Sequence, residues 1–212
     1  MTTTRLPDKT VERLSQYRHL LMAYSNFGKQ HIFSHELAGM LHITPVQVRR
    51  DIMLIGHTGT LRRGYDVRDL LKRISKIIDV DIGMKVVVVG VGLMGGAIIN
   101  YFSGKRSKLT IVGAFDIDPE KVNRVYAGVP CYPADKLREI VRAEDIDIAI
   151  LTVPPADAEA MTEKLVMAGI KGILNFTTIP LNVPEHVYLE EYNMISSLEK
   201  VAYFVKKQKI NK

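Results

Sequence analysis

A glycine-rich segment in the second half of the chain has the spacing of a dinucleotide-binding turn. It reads Gly90-Val-Gly-Leu-Met-Gly95 and follows residues 85–89, a β-branched run typical of a strand buried on both faces of a parallel sheet. Glycines at this spacing permit a tight turn, let the backbone approach a pyrophosphate, and allow the next helix, predicted over 96–102, to pack on the strand. That helix would offer amide groups to the anion. The predicted binding residues of the turn are Gly90, Val91, Gly92, Leu93, Met94 and Gly95.

An acidic residue follows this turn at the distance expected of a ribose-binding carboxylate. Asp116 ends the predicted strand 109–116 and lies 21 residues after Gly95, where dinucleotide-binding folds place the acid that holds the adenine-ribose hydroxyls. Its charge would repel a ribose 2′-phosphate, so NAD(H) is favoured over NADP(H). Two further predicted strands, 146–153 and 172–176, bring more candidate residues to the same sheet edge. These are Thr152, Val153, Pro154 and Asn175.

The residues that could do covalent chemistry do not form an acid–base set. Cys131 has no histidine or lysine beside it in sequence, and His186 follows a proline and a glutamate in a predicted turn. A single cysteine permits no intrachain disulfide and supplies at most one sulfur ligand to zinc. Residues 182–212 are too few for the substrate domain of a usual dehydrogenase. We therefore expect no catalytic residue, no metal and no enzymatic activity.

The charge of the chain is concentrated in its first part. The net charge of +6 divides into 13 Lys+Arg against 8 Asp+Glu in residues 1–82, and 16 against 15 in residues 83–212. A basic excess on a small domain favours nucleic acid or acidic lipid as partner. No apolar run is long enough to span a membrane, and the amino terminus has no apolar core of a signal peptide, so a cytoplasmic protein is expected.

The basic part has the pattern of a helix-turn-helix. Apolar residues recur at helical spacing over 11–24, and Ser34 is a predicted cap for a short second helix. Thr44, Pro45 and Gln47 give a cap, a first-turn proline and a capping-box partner for a third helix that runs to about Ile55. We expect this helix to bury Val46, Ile52 and Ile55.

In a helix-turn-helix the second helix of the pair lies in the DNA major groove. The predicted base and phosphate contacts are Thr44, Gln47, Arg49 and Arg50. Residues 56–65 then hold three glycines and the adjacent pair Arg62 and Arg63, as expected of a hairpin, the wing, that places cations in the minor groove. A further helix over 67–78 would turn Leu70, Leu71, Ile74, Ile77 and Ile78 inward. The alternative to a DNA-binding unit is an ordinary pair of packed helices whose arginines only face solvent.

The predicted fold class is therefore α/β in three parts. A winged helix-turn-helix domain (1–82) precedes a Rossmann-like parallel-sheet domain (83–190), and a terminal dimerisation helix lies within 191–212. The helix, predicted over 195–207, has one apolar side formed by Leu198, Val201, Ala202 and Val205. That side could close the core of its own domain or dock on a second subunit.

Several motifs together resemble one family. They are Pro45-Val-Gln-Val-Arg-Arg-Asp51, Gly64-Tyr65-Asp-Val, Val89-Gly-Val-Gly-Leu-Met-Gly95, Phe115-Asp-Ile-Asp-Pro-Glu-Lys121, Leu151-Thr-Val-Pro154 and Ala168-Gly-Ile-Lys-Gly-Ile-Leu-Asn-Phe176. The chain resembles the redox-sensing transcriptional repressor Rex over nearly its whole length. The resemblance implies a homodimer with exchanged terminal helices that represses genes of anaerobic and fermentative metabolism. It also implies that NADH releases double-stranded operator DNA, expected to be an A·T-rich inverted repeat, while NAD⁺ permits binding.

The resemblance also assigns sensing residues, and there the sequence departs from the family. Tyr101 matches a tyrosine near the nicotinamide, but Asn193, beside Met194, stands where the family has an aspartate. His19 stands where it has an arginine, with Arg18 next to it. Loss of the carboxylate would remove a group that reads the positive nicotinamide ring of NAD⁺.

The leading hypothesis is a dimeric repressor that converts the NADH/NAD⁺ ratio into operator affinity. One rival is a small NAD-dependent oxidoreductase with a basic accessory domain, for which Tyr101 is the only defensible proton donor. Another is a repressor that responds to a different nucleotide, such as coenzyme A.

Overall fold

The computed structural model describes residues 6–60, 62–79, 83–103 and 108–210, with backbone alone at 208–210. Leu61 of the predicted wing and the first five residues lie outside this description. The chain divides into two units, Met1–Asp81 and Ile82–Lys212. Within the described ranges, no helix has the length and apolar character needed to cross a membrane.

The first unit consists of helices and one small sheet. The helices are α1 (Asp8–Asn26), α2 (Ser34–Leu41), α3 (Pro45–Leu54) and α4 (Val67–Ile78). Strands β1 (His31–Ile32) and β2 (Tyr65–Asp66) pair antiparallel, and Thr60 and Gly64 form an antiparallel bridge. The chain between α3 and α4 therefore folds back on itself, and the predicted winged helix-turn-helix is confirmed.

The turn between α2 and α3 is tight, and α3 begins where the sequence predicts. His42 has a left-handed backbone with φ of 54°. The hydroxyl of Thr44 accepts a hydrogen bond from the Gln47 amide at 3.2 Å, and Pro45 is the first helical residue. The capping-box prediction is wrong, however, because the Gln47 side chain bonds to Asp51, one turn further along, and not back to the cap.

The core of the first unit is formed by α1, α2, α3 and α4 together with the small sheet, and three details predicted for these elements are wrong. Val46 is 48% exposed, since the buried side of α3 is centred on Val48 and the residues that follow it by three and four positions. Ile77 is 40% exposed at the end of α4. Ser34 is the first residue of α2, because Phe33 occupies the N-cap position. Completely buried apolar side chains include Leu14, Leu21, Ile32, Leu37, Ile52, Leu70 and Ile74.

The second unit is built on a seven-stranded sheet in the order β5-β6-β4-β3-β7-β8-β9. All neighbouring strands are parallel except β5 and β6. Since β3 has β4 on one side and β7 on the other, the strand order reverses beside it, and such a switch point is where open α/β sheets bind ligands. The strands are β3 (Met84–Val89), β4 (Leu109–Asp116), β5 (Val125–Tyr126), β6 (Val129–Pro133), β7 (Ile148–Leu151), β8 (Gly172–Asn175) and β9 (Tyr188–Glu191).

Helices cover both faces of this sheet, which confirms the predicted Rossmann-like architecture. They are α5 (Leu93–Phe102), a short 3₁₀ helix (Ala134–Lys136), α6 (Leu137–Ala143) and α7 (Pro155–Ala168). Successive side chains of a strand point to opposite faces. Accordingly, Val86 and Val88 pack with α5, whereas Val87 and Val89 pack with α6 and α7. A valine run buried on both faces is therefore the physical basis of this layered fold.

The last helix, α8 (Met194–Ile210), does not pack into this core. All of its side chains from 194 to 207 are exposed, including Leu198 at 70%, Val201 at 58% and Phe204 at 54%. The expectation of a terminal helix is confirmed, whereas the alternative that it closes the core of its own domain is wrong.

Candidate functional site

A groove of about 570 Å³ opens in the second unit at the carboxyl ends of β3, β4 and β7. Its wall is largely apolar and includes Phe115, Ile117 and Met161, while Lys121 and Lys164 supply cations. Such a cleft, apolar with a few polar groups, is the usual form of a small-molecule site. Half of the predicted cofactor residues line it, namely Gly90, Gly92, Asp116, Thr152, Val153 and Pro154.

The three glycines of the turn have different surroundings. Gly90 has φ of +94°, and a Cβ there would lie 2.9 Å from the carbonyl oxygen of Thr152. A Cβ on Gly95 would lie 2.0 Å from the carbonyl oxygen of Gly90, so only glycine lets α5 pack this closely. A Cβ on Gly92 meets nothing within 4 Å, although Gly92 lines the groove and precedes α5. The open space at Gly92 therefore fits a phosphate held at a helix amino terminus.

Asp116 joins the end of β4 to the glycine turn. Its Oδ2 accepts a hydrogen bond from the Val91 amide at 2.7 Å, and its Oδ1 accepts one from the Asp118 amide at 2.9 Å. The residue is only 8% exposed, so these bonds fix the carboxylate against the groove it lines. Because each oxygen can accept more than one hydrogen bond, the carboxylate can also hold ribose hydroxyls.

Lys121 lies beside this carboxylate and was not predicted from the sequence. Its Nζ is 3.4 Å from Asp116 Oδ2 and 3.4 Å from Asp118 Oδ2. Burial alone would lower the pKa of Lys121, but attraction to the two carboxylates raises it above its usual value. The ammonium group is therefore charged at neutral pH and offsets part of the negative charge of Asp116 and Asp118. In the sequence, only its position five residues after Asp116 could have indicated that Lys121 lies near this carboxylate.

Thr152 and Asn175 support the groove through internal hydrogen bonds. The hydroxyl of Thr152 lies 2.7 Å from the carbonyl oxygen of Gly90 and so links β7 to the turn. Asn175 is completely buried, and its Nδ2 donates to the Ile179 carbonyl at 2.9 Å and to Glu191 Oε2 at 3.0 Å. The side chain of Asn175 thus shapes the turn after β8. Its predicted contact with a cofactor stays a prediction.

The remaining predicted cofactor residues lie along α5 and its start. Val91 is buried in the core, Met94 is half-buried and Leu93 is 98% exposed. Tyr101, in the last turn of α5, is 65% exposed and packs edge-on against Phe102 with 5.4 Å between ring centres. The exposed apolar groups of Leu93 and Tyr101 are available for contact with a further molecule.

Cys131 and His186, the residues considered for covalent chemistry, are not among the residues that line the groove. Cys131 is 2% exposed, and burial raises the pKa of its thiol, which is therefore protonated at neutral pH. His186 is exposed. In the described part of the chain, no group of three or more His, Cys, Asp and Glu side chains is arranged to hold a metal ion.

The first unit presents a second candidate surface, formed by α3 and the wing. The side chain of Arg49 donates to the hydroxyl of Ser34 on α2 at 3.2 Å, so this cation is held beside the turn of the helix pair. Exposed cations on a recognition helix and a wing can reach phosphates or base edges. Five of the predicted DNA-contacting residues are exposed here: Thr44, Arg49, Arg50, Arg62 and Arg63.

Gln47, the sixth predicted contact, belongs to a buried polar network that the sequence did not reveal. Asp51 is 0% exposed and accepts hydrogen bonds from Arg13 Nε at 2.6 Å and from the Tyr17 hydroxyl at 2.8 Å. Gln47 Nε2 donates to the same carboxylate at 3.0 Å. Burial opposes ionisation of Asp51, but these donors lower its pKa below the usual value. The ionised carboxylate therefore ties α3 to α1.

The predicted sensing residues have defined local roles. His19 is exposed on α1, while its neighbour Arg18 is ion-paired with Asp79 at 2.6 Å. Asn193 caps α8, since its Oδ1 accepts hydrogen bonds from the second and third amides of the helix at 2.9 and 3.1 Å. Met194, the first residue of α8, is 52% exposed. The two residues that depart from the family pattern therefore lie in different units of the chain.

Comparison with known proteins identifies relatives of both units. The family described as "Putative DNA-binding protein N-terminus" matches residues 5–52, and the family described as "CoA binding domain" matches residues 81–179. The redox-sensing transcriptional repressor Rex of Geobacillus kaustophilus is 40% identical to this chain, with 95% of this chain and 94% of that protein covered.

Solved structures agree with this relationship over the whole chain. RSP, a Rex-family repressor, has been crystallised with β-NAD⁺ and operator DNA. That structure is 31% identical and superimposes with a TM-score of 0.88, covering 98% of this chain and 96% of RSP. The complex of RSP with β-NADH is 30% identical with the same TM-score of 0.88 and covers 98% of each chain.

Proposed function

Because the chain belongs to the Rex family of redox-sensing transcriptional repressors, we propose that it represses transcription by binding operator DNA and that NADH releases it. The observation that carries the proposal is Asp116, a nearly buried carboxylate fixed by the Val91 and Asp118 amides at the edge of the groove. A fixed negative charge at this position favours ribose hydroxyls over a 2′-phosphate.

We assign the groove to NAD(H). Gly92 and the start of α5 would face the pyrophosphate, Asp116 the adenine ribose, and Thr152, Val153 and Pro154 the opposite wall. Tyr101 and Leu93 are assigned to the nicotinamide end, with Val91, Met94, Gly95 and Asn175 holding the turn and wall in shape. We propose that the cofactor serves here as an effector and not as the substrate of a redox reaction.

We assign DNA contact to residues 1–82, nucleotide contact to residues 83–190 and subunit contact to residues 191–212. Arg49 and Arg50 on α3 would meet the major groove, and Arg62 and Arg63 the minor groove. A repressor of this kind acts on DNA in the cytoplasm.

A homodimer is proposed from the apolar side of α8. Leu198, Val201 and Val205 form an exposed apolar patch on one side of α8, and such a patch marks a surface that another molecule covers. A second copy of the chain is the proposed partner because operators with two half-sites require two recognition helices. His19, Asn193 and Met194 are proposed to couple the subunits to the cofactor.

The test is a mobility-shift titration on an A·T-rich inverted-repeat duplex. We expect binding that NADH reverses and NAD⁺ does not. Replacing Arg49 and Arg50 by glutamine should weaken DNA binding without changing NADH affinity. Asp116→Ala should weaken NADH binding without changing DNA affinity. The same titration with coenzyme A tests the rival effector. If coenzyme A releases the DNA and NADH does not, coenzyme A takes the place of NAD(H) in the proposal. Retardation of no duplex at moderate salt would refute DNA binding itself.

A further inference from the structure

We propose that Val46 contacts the 5-methyl group of a thymine in the major groove and thereby sets a base preference of this chain. The inference rests on the proposed DNA-binding function and adds a residue and a base to it. It starts from a side chain that the sequence predicted to be buried and that is 48% exposed.

Val46 lies at the centre of the solvent-facing side of α3. Because successive residues of an α-helix are rotated by about 100°, Arg49 and Arg50 lie about 60° and 40° on either side of Val46. Met53, which is 66% exposed, lies on the same side of the helix, two turns after Val46. The buried residues Val48, Asp51 and Ile52 occupy the opposite side. A groove that accepts the two arginines therefore also accepts Val46 between them.

Gln47 is turned away from that centre. It lies about 100° round the helix from Val46, and its Nε2 is bonded to the buried Asp51 carboxylate at 3.0 Å. Arg13 and Tyr17 hold that carboxylate in place. The amide of Gln47 is thus anchored toward the core, which leaves Val46 as the most outward side chain in the first turn of the recognition helix.

The chemistry of valine selects one feature of the groove. Its side chain has no hydrogen-bond donor or acceptor, and the thymine methyl is the apolar group that a base pair presents in the major groove. Contact between them removes two apolar surfaces from water. Burial of one methyl group corresponds to about a fourfold gain in affinity, so two half-sites give about fifteenfold.

The experiment uses the full-length protein and a duplex that it selects from a random DNA library. The thymines of that duplex are replaced by deoxyuridine in symmetric pairs, one from each half-site and one pair at a time, which removes only the 5-methyl groups. We expect one symmetric pair of replacements to weaken binding of the wild-type protein by about fifteenfold. Val46→Ala should bind the original duplex about as weakly and should be insensitive to the same replacements.

Leu54→Ala is the matched control, since Leu54 is a similarly exposed aliphatic residue of α3, at 56%, about 80° round the helix from Val46. This variant should keep the full sensitivity to deoxyuridine. The role of Val46 is overturned if no replacement weakens wild-type binding, or if Val46→Ala is as sensitive to the replacements as wild type. In either case the proposed DNA binding still stands. Selection of no duplex overturns the proposed function and the inference with it.

Discussion

Asp51 is a completely buried charge whose donors come from two helices. Removing one member of such a pair leaves the other charge with no buried partner, and that loss is costly. The network also fixes the rotation of α3 about its axis, and hence which of its side chains face DNA. Asp51 is thus a residue whose effect on binding is indirect.

Asp51→Asn should lower the free energy of unfolding by about 2 kcal/mol at neutral pH, because an amide retains some hydrogen bonds but leaves Arg13 without its charged partner. The folded-state pKa of Asp51 is lowered, so its contribution is complete above the ordinary carboxyl value of 3.8 and is lost as pH falls through the folded-state pKa. Urea unfolding from pH 7 to pH 2 should show a steeper loss of stability below pH 4 for wild type than for the variant.

The control for this pH effect is Asp79→Asn, which breaks the half-exposed pair with Arg18. An exposed pair contributes only about 0–1 kcal/mol, so this variant should stay close to wild type. Equal stability of Asp51→Asn and Asp79→Asn would contradict the structural role of the buried network.

Asn193 supports a prediction about sensing. Asn193→Asp should preserve α8, because a carboxylate can accept the same two capping bonds and is favoured at a helix amino terminus. If a carboxylate at this position reads the positive nicotinamide ring, the variant should favour NAD⁺ over NADH about fivefold more than wild type, a coupling of about 1 kcal/mol. Calorimetric titration with each nucleotide measures this ratio.

Ser196→Asp provides the matching charge in the first turn of the same helix without replacing the cap. It should leave the nucleotide ratio unchanged. A ratio that moves equally in both variants would show that charge near α8, and not the position of residue 193, is responsible.

At the residue level, the sequence predicted which residues line the groove better than it predicted which side chains contact each other. Spacing alone identified Gly90, Gly92 and Asp116, because backbone geometry at the turn leaves little freedom in residue type. The network at Asp51 was not predicted, since two of its donors, Arg13 and Tyr17, are brought there by folding from positions 38 and 34 residues away. Lys121 was missed for a similar reason, because only the fold shows which carboxylates it contacts.

At the level of elements, the central strands β3, β4, β7 and β8 were predicted, whereas the hairpin and the strand at the two edges of the sheet were not. Strand β3 was found because it is a continuous β-branched run, and α4 because its apolar residues recur at helical spacing. The β5–β6 hairpin and the edge strand β9 have two to five residues each and were not predicted. The rotation of α3 was misjudged because its inward side carries the charged Asp51 among apolar residues, which hides the pattern.

The exposed apolar side of α8 leads to a prediction about assembly. Replacing Leu198 and Val205 by lysine should abolish the dimer, because both lie on one side of the helix and each would place a charge in an apolar contact. Glu199→Lys, which places a lysine about 100° round the helix from Leu198, is the control and should remain dimeric. Sedimentation velocity distinguishes the two. A monomeric wild-type protein would contradict the proposed role of α8.

For the whole molecule, the proposed function requires thermodynamic coupling between two sites in different units. If NADH favours a dimer geometry whose recognition helices no longer match two half-sites, NADH and DNA must weaken each other by the same factor. A coupling of about 1–3 kcal/mol corresponds to about 5- to 150-fold.

The most direct test measures operator affinity by fluorescence anisotropy with saturating NADH, with saturating NAD⁺ and with neither. We predict that NADH weakens operator binding by about 5- to 150-fold, that NAD⁺ does not, and that Asp116→Ala removes the effect of NADH while keeping DNA affinity. Equal operator affinity under all three conditions would contradict the central claim that this chain converts the NADH/NAD⁺ ratio into DNA binding.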